Sequence, residues 1–165
     1  MEFLDAIKKL DDSEDIKRWK DDHPDMYLVH GFTMLGNYKE DPINWQIGYY
    51  NKKDDKITPI EIGIGINIGA PQQAFKKNDT IEELDLSNVK ITLRQALDET
   101  EKIRLEKYTN ETPMKIFAVI QNLGKEGQVW NMTTATKTMN TINAKIDAKT
   151  GKVRSIKTEN FIQMK

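Results

Sequence analysis

Two hydrophobic periods take turns along this chain. From Phe3, Ala6, Ile7 and Leu10 to Ile16 and Trp19, apolar residues recur every three or four positions, the spacing of one face of a helix. The helix predicted over residues 2–21 contains Asp11-Asp12-Ser13, where Asp12 or Ser13 can cap a second segment. It ends at His23-Pro24, because proline pushes the residue before it away from helical geometry. Residues 26–35 are apolar on both faces and read as a covered, central strand. Over 43–50 the pattern alternates, with Trp45, Ile47 and Tyr49 on one side and Asn44, Gln46, Gly48 and Tyr50 on the other. Alternation is most regular over 56–69. Ile60, Ile62, Ile64, Ile66 and Ile68 share one face; Pro59, Glu61, Gly63, Gly65, Asn67 and Gly69 share the other. This predicts one long strand with its isoleucines on a core, a nearly bare reverse face, and an edge or bulge at Pro59.

A polar connector follows over 70–90, with Pro71-Gln72-Gln73 and Lys76-Lys77-Asn78-Asp79. Thr92-Leu93-Arg94-Gln95 then has capping-box spacing, with Ile91 placed to staple onto Ala96, and predicts a helix to about Tyr108. Residues 114–122 read as a strand and Gly124 to Gly127 as a hairpin turn. From Trp130 the even positions stay in phase through Met132, Thr134 and Thr136 to Ile142, Ala144 and Ile146. Either one long strand runs through, or a bend at 137–140 passes the chain to a second sheet. A turn at Asp147 to Gly151 and a strand over 153–157 complete the pattern.

The order of elements recurs after about 90 residues, the kind of self-similarity that sets an architecture. Trp45 and Trp130 fall at equivalent places, as core anchors. The pattern predicts an α+β protein of two α-β-β-β repeats, each a helix packed on an antiparallel sheet, the two sheets separate or joined. The first unit spans 1–69, the connector 70–90 and the second unit 91–165.

Leu93 to Ala96 at the helix start, Trp130 at the strand start, and Ile146-Asp147-Ala148-Lys149-Thr150-Gly151-Lys152-Val153 closing the hairpin together resemble a PepSY-type domain, the module of peptidase propeptides. The Asp-Ala-x-Thr-Gly-x-Val turn is intact. In the first unit Trp45-Gln46-Ile47-Gly48-Tyr49-Tyr50 fits the corresponding strand, but its turn, Asn51 to Lys56, lacks the glycine. The resemblance implies a helix on a small antiparallel sheet and a role in inhibiting or chaperoning a peptidase. It brings no catalytic residues.

Composition narrows the function classes. The net charge is -1, so nothing draws the chain generally to nucleic acid or anionic membrane. No apolar run reaches membrane-spanning length, and the opening residues lack the basic and apolar regions of a signal peptide. The chain as given reads as cytoplasmic, or as extracytoplasmic if a signal segment has been removed. With no cysteine there are no disulfides, thiolate nucleophiles or cysteine-based zinc sites.

Candidate chemistry is sparse. His30, in phase with Leu28 and Phe32, reads as a structural imidazole. His23 among Asp21, Asp22 and Asp25 lacks calcium-loop spacing and reads as solvated surface. Gly63-x-Gly65-x-x-x-Gly69 has the wrong spacing for a dinucleotide site. Its bare face can take Tyr50 across it, or the side chain or backbone of a partner. No serine stands in a nucleophile-elbow context, and no cofactor or metal site is predicted.

The leading expectation is therefore a non-catalytic module that binds a polypeptide partner, a peptidase by resemblance. Its candidate surface is Tyr50, Gly63, Gly65 and Gly69. A second is a small apolar ligand in a helix–sheet groove, with His30 and Tyr49 as polar handles. A third is a structural or dimerisation role through strand edges, the chain being a monomer or a homodimer.

Overall fold

The protein is described by a computed structural model over residues 1–74 and 80–160. Helices α1 (Phe3–Asp11) and α2 (Glu14–Asp22) open the chain, followed by strands β1 (Met26–Leu35), β2 (Trp45–Asn51), β3 (Lys56–Ile62), β4 (Ile66–Ile68) and β5 (Gln72–Gln73). Helix α3 (Leu93–Lys107) precedes β6 (Pro113–Asn122), β7 (Gln128–Thr136), β8 (Asn140–Asp147) and β9 (Val153–Asn160). The helical opening is broken where expected: Ser13 Oγ accepts from Ile16 N–H at 3.4 Å and starts α2. Thr92 and Gln95 form the full capping box of α3.

Two helix-on-sheet repeats do not form. Among the described residues the strands make one antiparallel sheet of nine, in the order β4-β3-β2-β1-β6-β7-β8-β9, with β5 also on β3. The join is β1 against β6, paired from His30↔Gln121 to Leu35↔Ile116. Both strands are apolar enough to lie inside a sheet, and their pairing removes two edges that separate sheets would leave open.

The helices all cover one face. Phe3 lies on Gly31, Trp45 and Trp130, so α1 sits across the join. Trp19 of α2 meets Tyr49 edge-on at 5.5 Å. Under them Trp45, Ile47, Ile60, Ile62, Ile116, Ile120, Trp130, Met132 and Ile146 form a continuous core with Leu93, Ala96 and Leu97. Both tryptophans are anchored in the same way: Trp45 Nε1–H donates to Met1 O at 3.0 Å and Trp130 Nε1–H to Ile91 O at 2.8 Å, each carbonyl lying just before a helix. The Glu2 carboxylate accepts from the backbone N–H of Leu93 and Arg94 at 2.8 and 3.1 Å, so the start of the chain satisfies free donors at the start of α3.

The predicted strand 56–69 is a hairpin. The chain reverses at Gly63-Ile64-Gly65, and β4 pairs back on β3 as Ile60↔Ile68 and Ile62↔Ile66. Ile60 and Ile62 are buried, whereas Ile64 at the tip is fully exposed and Ile68 is at the surface, so the five isoleucines do not share one core. The bend expected near 137–140 exists, but it returns the chain to the same sheet as β8, beside β7. Met139 takes the positive φ of that turn (66°). In the turn between β2 and β3 the missing glycine is replaced by Asp55, at φ 55°.

Candidate functional site

The face opposite the helices is the part of the sheet with chemistry to offer. At its β2–β5 end a small second core forms, in which Val29, Tyr50 and Ala74 are buried with Tyr27, Ile57 and Ile81 packed on them. Tyr50 is 3% exposed, meets Tyr27 edge-on at 5.5 Å and donates from its hydroxyl to Asp55 Oδ1 at 2.6 Å. Beyond this cluster the face is open. Phe32 and Phe117 stack across β1 and β6 with ring centroids 6.5 Å apart and planes 13° from parallel. Met34 and Val119 flank them, Met34 half-exposed.

Where β1 passes into β2 this face opens into a groove of about 630 Å³. Its floor is Phe32, Met34, Gln46 and Glu61; one wall is Ile43 and Asn44, the other the β3–β4 hairpin with Gly63 and Gly65. Thr33 Oγ1–H holds the first wall by donating to Asn44 O at 2.7 Å. The walls approach so closely that a Cβ on Gly63 would lie 2.1 Å from Asn44 Oδ1, which is why glycine stands there. Gly63 N–H closes the turn on Gly65 O at 2.9 Å, and Lys9 Nζ–H donates to Gly63 O at 2.7 Å. Gly65 differs: a Cβ there would have no atom of the described residues within 4 Å. Ile43, on the rim, is 77% exposed.

The four residues expected to form one surface are therefore not brought together. Gly63 and Gly65 line the groove; Gly69 sits against Pro59, donating its N–H to Pro59 O at 2.8 Å; Tyr50 is buried in the second core. On this face an aromatic ring does lie across a sheet glycine, but the pair is His30 and Gly48, directly opposite each other on β1 and β2. Burial holds the His30 pKa below the ordinary histidine value. A Cβ on Gly48 would fall 2.3 Å from His30 Cε1. Gly48→Ala is thus expected to displace the imidazole and destabilise the fold by about 1–3 kcal/mol, read from urea unfolding midpoints.

His30 and Tyr49 lie on opposite faces, since Tyr49 packs under Trp19 while His30 covers Gly48, so they cannot be two handles of one groove. The acidic loop does not converge either: Asp25 pairs with Lys53 at 2.7 Å, and His23 Nδ1 lies 2.7 Å from Trp19 O. The connector's Lys76-Lys77-Asn78-Asp79 lies outside the described residues. Sequence reasoning missed Phe32, Met34 and Ile43. For Phe32 and Met34 the available signal is the two-sided apolarity of 26–35, which fits an open apolar face as well as a covered strand.

No family model matches this chain, and no curated protein matches it in sequence. Among solved structures it is similar to that of a candidate lipoprotein from Clostridium difficile 630, at 16% identity, with 88% of this chain and 91% of the other covered and a TM-score of 0.53. That likeness is one of fold. No helix among the described residues is long and apolar enough to cross a membrane.

Proposed function

We propose that this chain is a non-catalytic polypeptide-binding module whose surface is the open face of the sheet and the groove at its β1–β2 end. The stacked Phe32–Phe117 pair, with Met34 and Val119 beside it on a face that no helix among the described residues covers, is the observation that carries this reading. Apolar side chains grouped around aromatic rings and rimmed by polar residues are what a binding patch needs. At Gly65 the hairpin adds backbone that a bound segment can approach closely. The PepSY-type resemblance of Ile146 to Val153 supports a peptidase as one class of partner, and the lipoprotein of similar fold supports an extracytoplasmic setting.

Gly65→Arg tests the reading cleanly. Its φ is not in the left-handed region and the space around it is open, so the arginine is expected to leave the melting temperature unchanged. Peptides selected from a random phage library on the parent protein are expected to bind this variant at least about tenfold more weakly, the effect of losing one anchoring contact. Equal affinity for both proteins would remove the groove as the site.

A further inference from the structure

The ladder registers place eight outward-facing residues in one row across the whole sheet: Asn67, Glu61, Gln46, Phe32, Val119, Asn131, Lys145 and Ser155. Its middle is apolar, its flanks are amides, and its outer positions carry one acid and one base. The row reads the same chemistry from either end except for the sign of that charge. Neighbouring Met34 and Phe117 are likewise directly paired across β1 and β6. Neither Glu61 nor Lys145 has an ion pair among the described residues.

We propose that the polypeptide this face engages is a second copy of the chain, docked face to face about a two-fold axis that runs parallel to the strands between β1 and β6. This rests on the open face being a binding surface. Such an axis exchanges the two halves of the row. Phe32 then meets the partner's Val119, Met34 the partner's Phe117, Gln46 the partner's Asn131, and Glu61 the partner's Lys145. The interface is isologous, so every contact occurs twice. Apolar groups meet at the centre, amides around them, and the unpaired charges find opposite signs at the rim, the usual anatomy of a protein interface. Two sheets stacked in this way lie about 10 Å apart with nearly aligned strands, as in sandwiches. A copy slid by one strand along the row would set Glu61 and Lys145 each against an uncharged residue, so the charges also fix the register.

Sedimentation equilibrium of the parent, Glu61→Lys, Lys145→Glu and the double variant decides the matter. The parent is expected to be dimeric. Each single reversal creates two like-charge contacts and is expected to raise the dissociation constant about tenfold or more, while the double variant restores it. Thermal melts report that all four chains fold. A monomeric parent, or a double variant no tighter than the singles, overturns the inference. A monomer that still binds selected peptides in a Gly65-dependent way overturns the second copy and leaves peptide binding standing. A rescued dimer that selects no peptide upholds the second copy and overturns the groove as a peptide site.

Discussion

Replacing Phe3 by alanine is expected to lower the unfolding free energy by about 3–5 kcal/mol, the range for removing a fully buried phenylalanine ring. The ring is 1% exposed and fills the space above Gly31, where any Cβ would stand 2.3 Å from Phe3 Cε2. Trp45 and Trp130 pack against it at centroid distances of 5.4 and 6.2 Å and against each other at 6.2 Å, a triangle of rings. No neighbour can collapse into the vacancy easily, since both indoles are fixed by their hydrogen bonds to Met1 O and Ile91 O. In a chain of this size the loss corresponds to a fall of roughly 10 °C in melting temperature. Thermal unfolding followed by circular dichroism reads it. A fall under about 2 °C would show that the three rings do not act as one cluster.

Asp147→Ala is expected to be the next most damaging change, at about 2–3 kcal/mol, in line with losing hydrogen bonds to a charged acceptor. Asp147 Oδ1 accepts from the N–H groups of Lys149 and Thr150 at 2.9 and 2.8 Å, and Oδ2 from Arg154 Nε–H at 3.0 Å. Gly151, at φ 79°, then donates its N–H to Asp147 O at 2.9 Å, so one residue organises the whole β8–β9 turn. Burial alone would push the carboxyl pKa up. Arg154 and the amides of Thr150 and Lys149 outweigh it and hold the pKa at about 2, against an ordinary 3.8. A depressed carboxyl pKa stabilises the fold fully above the unfolded value and loses that contribution as pH falls through the folded one. The parent's advantage over Asp147→Ala should therefore be complete above about pH 4 and shrink steadily towards pH 2. Denaturant titrations at several pH values test this; a gap independent of pH would mean that the carboxylate's charge is not what the turn uses.

Local signals were legible in the sequence wherever chemistry and geometry coincide within a few residues. The Ser13 and Thr92 caps, the apolar strand 26–35 and the Asp147–Gly151 turn each depend on neighbours in the chain. What the pattern concealed were reversals. In β3–β4 residue 60 pairs with 68 and 62 with 66; in β7–β8 residue 130 pairs with 146, 132 with 144 and 134 with 142. Both hairpins fold about a single residue, Ile64 or Thr138, at the centre of a short loop, so even positions meet even positions. The period-two signal then continues through the turn as though the strand had never ended. Glycine at 63 and 65 was the clue to the first reversal, and it was read as a bare face. The joining of β1 to β6 was hidden for another reason. Nothing in either strand's alternation says whether its free edge ends in solvent or in a distant strand. The groove inherits both difficulties, because one wall is the concealed hairpin and part of its floor is β1.

The β1–β6 ladder also has a meaning in time. Every other long pairing in the sheet links neighbours in the chain and can zip up as soon as both strands exist, whereas His30 must wait for Gln121. During synthesis β1, bearing Phe32, Met34 and Leu35, leaves the ribosome with one side unpaired and stays so until some 80 to 90 further residues have been made. An emerging apolar edge of that kind is open to the same strand on a neighbouring nascent chain. Slow elongation between residues 36 and 122 would lengthen the exposure; a chaperone that shields extended apolar segments would shorten it. The yield of folded protein should thus fall when this interval is translated slowly, even with the finished sheet unchanged.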